Sequence, residues 1–419
     1  MPAWRTLLMI GFGGCAASLL LLSGCASLRG QPPPVPPPLV ALLPLPPPPD
    51  PLGVATHRFE FDPATTDVVG VLQATVVGKE DALPDIARRF NLGYEEIVRA
   101  NPGVDPWLPG EGKVVLLPTR FVLPNAPREG LVVNLAAMRL FWFPKRESGR
   151  LQVVYTYPIG IGRVGWVTPE GGTRVVAKIK DPDWRPPASV RKEHRENGEE
   201  LPLLVPAGPD NPLGAHMFRL GWPSYLIHGT NKPYGVGMRS SHGCLRLYPE
   251  DIAHLYSQLP LGTRVTVVNQ PLVFGWQAGV LHAQAYEVLE DDKRDWRHAP
   301  LTLRKRADKG SATWRRILAK DADIDWEAAH HVALKPLGVP VPIMKATAEP
   351  LALLLASATR VLNEVPLGAN WSGKVELRVD EAQYQQMRAE IEGGAAAPAT
   401  ATASPTPPVP AATVLRTIR

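Results

Sequence analysis

The chain has 419 residues, 45% of them hydrophobic, with a formal net charge of +5 and three cysteines. That length holds two or three domains, and the apolar share is that of ordinary soluble folds. The charge is too mild to argue for a nucleic-acid partner, and no nucleic-acid module is visible.

Residues 1–25 read as an export signal. Arg5 supplies the positive start, 7–22 is an apolar run broken only by small residues and Ser18, and Leu22-Ser23-Gly24 precedes Cys25. The run is short for a membrane span. The pattern resembles the lipobox of bacterial lipoproteins, which implies lipidation at Cys25; the neutral Ala26 that follows points to the outer membrane. Residues 26–56 form a proline-rich linker, with twelve prolines at 31–51. Such a stretch favours extended polyproline II and spans on the order of 65 Å, a stalk above a membrane.

The next segment, 72–119, alternates as a small α+β unit. A strand is expected at 73–77 and a helix at 81–90 with Leu83, Ile86, Ala87 and Phe90 on one face. A second helix at 94–100, a turn at Asn101-Pro102-Gly103 and a strand at 113–117 follow. Strand–helix–helix–strand with these residues resembles a LysM domain. The resemblance implies binding of N-acetylglucosamine-containing glycan through the two strand–helix loops. The start Val77-Gly78-Lys79-Glu80-Asp81 and an insertion at 103–112 depart from that pattern.

Residues 128–269 read as a mostly β domain, a sandwich or barrel. A hairpin is expected from 131–135 and 139–143, then strands at 153–157, 175–179, 218–220 and 226–228, a helix at 249–259 and a closing strand at 263–268. The polar, proline-rich 181–214 segment has the length of an active-site lid. Trp222 is expected in the core; Trp184 fits a core or a groove.

The chemistry-bearing residues lie in Leu226-Ile227-His228-Gly229-Thr230 and Ser241-His242-Gly243-Cys244-Leu245-Arg246. With Cys25 lipidated, Cys244 has no disulfide partner in the mature chain, and a lone cysteine in an exported protein is a leftover or a reactive thiol. Either Cys244 or His228 alone would read as an inert core residue; both in this register do not. A zinc site from His228, His242 and Cys244 is the metal alternative, but it lacks a fourth ligand or paired spacing.

These segments, with the opening hairpin and Thr168-Pro169, resemble the L,D-transpeptidase catalytic domain of the YkuD type. The resemblance implies a peptidoglycan enzyme of the periplasm, similar to those that attach murein lipoprotein or form 3–3 cross-links. Its partners would be stem peptides, glycan, murein lipoprotein and, through the lipid, a membrane; no cofactor is implied. Cys244 would attack an amide carbonyl to give a thioester, and His228 would take and return the proton. The Gly229 carbonyl would fix the imidazole tautomer. Backbone N–H groups of Gly243 and Cys244, beside His242 and after Ser241, would form an oxyanion hole. Arg246 would hold a substrate carboxylate or brace the loop. A Cys244–His228 ion pair is expected to lower the thiol pKa and raise that of the imidazole.

Residues 270–392 give strands at 273–276 and 281–286, a helix at 351–365 and a strand at 374–379, with no readable function; 393–419 reads as a disordered tail. Ten Lys or Arg at 293–320 form a solvated face or contact anionic envelope polymers. The competing functions are an L,D-carboxypeptidase using the same cysteine, with water as acceptor, and a non-enzymatic peptidoglycan-binding lipoprotein.

Overall fold

The computed structural model describes residues 57–294, 296, 312–347 and 351–374. Cys25 and its lipobox, the proline stalk, the 297–311 part of the basic stretch, all but Lys374 of the expected 374–379 strand and the tail lie outside the described residues. Among the described residues no helix is long and apolar enough to cross a membrane.

Strands β1 (His57–Phe61) and β2 (Val68–Gly70) lead to β3 (Gln73–Val76), helices α1 (Leu83–Arg89) and α2 (Tyr94–Ala100), and β4 (Val114–Leu117). Next come β5 (Arg120–Val122), β6 (Gly130–Asn134), β7 (Arg139–Phe143), β8 (Gln152–Pro158), β9 (Ile161–Gly162) and β10 (Gly171–Lys180). Helix α3 (Ala188–Glu196) precedes β11 (His216–Leu220), β12 (Leu226–His228), β13 (Arg239–Ser241), β14 (Leu245–Arg246), α4 (Pro249–Gln258) and β15 (Arg264–Val268). The remainder holds β16 (Leu272–Gln277), β17 (Val280–Ala285), α5 (Ala312–Ala319), α6 (Trp326–Leu334), β18 (Val341–Pro342), α7 (Leu351–Ala356) and β19 (Thr359–Arg360).

The mostly β expectation for the catalytic part holds. Nine strands form one sheet in the order β1-β8-β7-β6-β15-β10-β11-β12-β14. Strand side chains alternate between faces, and both faces of β6 and β7 are covered. Leu131, Val133, Leu140 and Trp142 join a core with Ile227, Leu245, Val265 and α4 residues Ile252 and Leu255. Val132, Phe141, Phe143 and Val154 point the other way, into a second core with Leu83, Ile86, Ile97, Val115 and Leu117. This is why 131–133 reads as an unbroken apolar run rather than an alternating one. Helix α4 starts with Pro249 and carries Glu250 and Asp251 in its first turn, where the helix dipole favours acids. Trp222 is half-buried against the first core.

Several elements differ from the sequence reading, three of them with clear structural consequences. β1 extends the sheet, with His57 opposite Thr156 of β8. α3 is a helix inside the expected lid. The helix expected over 351–365 stops at Ala356, because Thr359 and Arg360 add in parallel to β3. Thr75 Oγ1 donates to the Val361 carbonyl at 2.8 Å and Asn363 Nδ2 to that of Val76 at 2.9 Å, so tertiary pairing overrides helix propensity there.

The 73–117 unit is fixed to the sheet by charge as well as by apolar contact. Arg139 on β7 is fully buried; its Nε and Nη2 donate to Glu96 of α2 at 2.6 and 2.7 Å. Nη2 also donates to the Asn91 carbonyl at 2.9 Å, and the guanidinium lies 4.3 Å from the Phe121 ring centre. Arg88 makes a second two-pronged pair with Glu250 at 2.9 Å. Breaking one side of a buried pair leaves an uncompensated charge, which costs about 3–5 kcal/mol. Arg139→Ala is therefore expected to lower the unfolding free energy by about that amount in urea titrations, and Arg139→Met with Glu96→Leu by less. A cost under about 1 kcal/mol for Arg139→Ala, the range of exposed pairs, would show that the pair does not secure the unit.

Candidate active site

β12 and β14 run parallel, with Ile227 opposite Leu245 and His228 opposite Arg246. Ile227 and Leu245 point into the core. By alternation His228 and Arg246 share the opposite face, and Cys244, two residues before Arg246, lies on that face too. Cross-strand diagonal neighbours sit about 7–8 Å apart, within reach of long side chains. The fold thus brings together residues sixteen apart in the chain by one short register.

His228 is buried and its Nδ1 lies 2.6 Å from the Gly229 carbonyl oxygen. A carbonyl only accepts, so Nδ1 carries the proton and Nε2 keeps its lone pair. Burial first, and then the charge of Arg246, push His228 down to about 3. The Cys244 thiol is half-buried and donates to the Ser224 carbonyl at 3.7 Å. Burial raises its pKa; the Leu226 N–H and the Arg246 charge oppose this with smaller effect. Both directions are the reverse of the ion pair expected from the sequence. Desolvation wins, and thiol and imidazole are both neutral in the resting site.

Hydroxyl groups shape the Cys244 loop. Ser241 Oγ donates to the Cys244 carbonyl at 2.6 Å and accepts from the Gly243 N–H at 3.2 Å. The Gly243 N–H is thereby engaged inside the loop, unlike the free donor expected from the sequence. Gly243 has φ of +100°, and a Cβ there would stand 3.0 Å from the Tyr225 ring, so only glycine fits. Thr168 Oγ1 donates to the Gly243 carbonyl at 2.9 Å. Arg246 exchanges backbone hydrogen bonds with Gly160 at 2.8 and 3.0 Å. Its Nη1 donates to Ser240 Oγ at 3.2 Å, while its Nε is buried without a partner. Among the described residues Arg246 has no carboxylate within ion-pair distance.

His242, two residues before Cys244, contacts Glu193, Arg163 and Trp166. Its Nε2 is 2.7 Å from Glu193 Oε2 and 3.0 Å from Arg163 Nη2, and the Trp166 ring meets it edge-on at 4.7 Å. Arg163 only donates and Glu193 only accepts, so the two contacts to Nε2 cannot both be hydrogen bonds. Arg163 already binds the other carboxylate oxygen, which makes Nε2–H to Glu193 the consistent reading. Burial first, and then the charges of Arg163, His194 and Arg246, hold His242 down to about 4. Arg163 and Glu193 were missed in the sequence, since nothing in the spacing links an acid at 193 to a histidine at 242. Among the described residues no three His, Cys, Asp or Glu side chains are arranged to hold a metal.

The model of the YkuD family, described as an L,D-transpeptidase catalytic domain, matches residues 128–267. The chain is 37% identical over 312 residues to "Probable L,D-transpeptidase YcfS" of Escherichia coli strain K12, covering 72% of this chain and 93% of that protein. It is 35% identical over 292 residues to "Probable L,D-transpeptidase ErfK/SrfK" of Salmonella typhimurium, covering 68% and 90%. "Probable L,D-transpeptidase YbiS" of Escherichia coli K12 is 42% identical over 216 residues, covering 50% and 69%.

Two outcomes follow from the burial of these groups. With burial pushing the thiol above the ordinary cysteine range, alkylation of Cys244 by iodoacetamide should still be rising at pH 9, and His228→Ala should not shift that profile. A plateau below pH 7 that His228→Ala abolishes would restore the ion pair. Acid should also destabilise the fold. His57 and His228 are held to about 3 and His282 to about 4, below the ordinary histidine value of 6.5, mainly by burial. The unfolded chain then binds protons that the folded chain refuses, so stability is full above pH 6.5 and is lost as pH falls towards 4. Urea midpoints unchanged between pH 7 and 4.5 would contradict this.

Proposed function

The chain belongs to the L,D-transpeptidase family, an enzyme family, and from that premise we propose that Cys244 carries an acyl transfer on peptidoglycan stem peptides. The observation that supports it is the shared face of His228, Cys244 and Arg246 set by the β12–β14 register. The donor is a tetrapeptide stem, cut between the L-centre of diaminopimelate and its terminal D-alanine. As the substrate enters, the Cys244 side chain leaves the Ser224 carbonyl and passes its proton to Nε2 of His228, the lone-pair nitrogen. Sγ bonds to the carbonyl carbon, and the Cys244 N–H supports the developing oxyanion. The C–N bond to D-alanine breaks, and His228 returns the proton to the departing amine. An acceptor amine then attacks the thioester, loses its proton to His228, and Sγ leaves as the thiol. A neutral resting pair suits this order, because an imidazole kept unprotonated by burial is ready to accept. Arg246, buried without a carboxylate, fits the stem carboxylate better than a purely bracing role.

The setting proposed for this reaction is the periplasm, with a lipid at Cys25 anchoring the chain in the outer membrane and the 31–51 stretch as a stalk. The 72–119 unit is the LysM-like part. Murein lipoprotein and a second stem are the acceptors favoured over water.

The test is product analysis with purified disaccharide-tetrapeptide, offering a lipoprotein C-terminal peptide and diaminopimelate stems together. Cross-linked or peptide-tagged muropeptides from the wild type and none from Cys244→Ala are expected. Shortened stems without adducts would replace transfer by L,D-carboxypeptidase activity, and full turnover by Cys244→Ala would overturn the assignment.

A further inference from the structure

We propose that Glu193 is a positioning residue for the acyl transfer, orienting His242 beside the Cys244 loop and latching the 181–214 segment against it. This rests on the reading of Cys244 given above and adds a residue that touches neither substrate nor thiol. Glu193 lies on α3, and its two carboxylate oxygens divide their work. Oε2 accepts from His242 Nε2 at 2.7 Å, while Oε1 binds Arg163. Arg163 in turn belongs to the loop beside Cys244, since its backbone N–H donates to the Ser241 carbonyl at 3.0 Å. The imidazole is thus enclosed by a carboxylate, a guanidinium and the edge of Trp166, on the residue immediately before Gly243.

The same contact is much of what holds α3 down. Val190 is the one buried residue of the helix. Three other charged side chains of α3 bind within their own segment: Arg191 to the Pro186 carbonyl, Lys192 to Glu196 and His194 to Glu199. Glu193 reaches across to the catalytic loop by hydrogen bond and ion pair, and beside it the His194 ring comes within 6.3 Å of the His242 ring. Its pairing is partly exposed, with 27% of the Glu193 side-chain surface open, so it is reversible and weakens with salt. Such a contact can release α3 for a bulky stem peptide and re-form when the substrate is seated, while Asn231 Nδ2 on the Asp210 carbonyl at 2.9 Å keeps the end of the segment in place.

The test uses the full chain and imipenem, a β-lactam opened by the same step. Sγ bonds to the lactam carbonyl carbon, the ring C–N bond breaks, and the thiol proton ends on the ring nitrogen. Acylation of Cys244 is followed by intact mass, iodoacetamide alkylation is measured in parallel, and trypsin cleavage within 185–195 reports the segment. Glu193→Ala should slow acylation about 10-fold, within the ~100-fold that misplacing a group by about 1 Å can cost. Alkylation by the small reagent should not slow, and cleavage within the segment should quicken. Glu193→Gln should recover part of the rate, because its amide oxygen still accepts from His242 while the charge pairing with Arg163 is lost. Acylation of Glu193→Ala at the wild-type rate would overturn the proposal. So would an equal fall with both reagents together with a lowered unfolding midpoint, which would make Glu193 merely structural. Failure of imipenem to acylate the wild type at Cys244 would overturn the acyl-transfer reading itself, a result distinct from any difference between variants.

Discussion

The parallel register between β12 and β14 is the constraint on which the site depends. Two residue pairs, Ile227 with Leu245 and His228 with Arg246, decide which side chains enter the core and which share the opposite face. A slip of one residue would exchange them, burying Cys244 and Arg246 and exposing Leu245. The apolar partners make that slip costly, because Ile227 and Leu245 are packed among Leu131, Val133, Ile252 and Leu255. The chemistry is therefore positioned by hydrophobic burial one residue away from it. The loop hydroxyls of Ser241 and Thr168 refine the position, and Gly243 lets the chain turn where no side chain fits.

Burial also sets the charge state. From the motif alone, the thiol and imidazole are expected to ionise as a pair. Here the imidazole loses more by desolvation than it gains from Gly229, and Arg246 disfavours a second positive charge beside it. The positive charge of the site thus resides on Arg246 rather than on His228. In the proposed mechanism such an arrangement would leave His228 free to act as base and Arg246 free for an anionic substrate group, with the thiol proton transferred only once substrate is bound.

The legible part of the sequence was the part governed by local rules. The hairpin of β6 and β7, the helix α4 behind Pro249 and the Cys244 loop all follow from apolar pattern, turn residues and spacing. What escaped was set by distant partners. β1 is a strand because β8 offers an edge, and 359–360 is a strand rather than helix because β3 does. The Glu193–His242 contact joins positions 49 apart through a helix whose own sequence is polar and unremarked. The resting charges escaped for the same reason, since desolvation depends on what packs around a group rather than on its neighbours in the motif.

The 73–117 unit packs against the back of the same sheet that carries the site, through the Arg139–Glu96 pair and a shared core. The central claim remains that Cys244 forms a covalent link to the stem peptide. It is tested most directly by intact-mass and peptide-mapping analysis of the enzyme quenched during turnover of a disaccharide-tetrapeptide. The account predicts an adduct on Cys244 equal to the donor less its terminal D-alanine, absent in Cys244→Ala and accumulating when acceptor is withheld. Turnover without any adduct, or an adduct mapped to another residue, would contradict it.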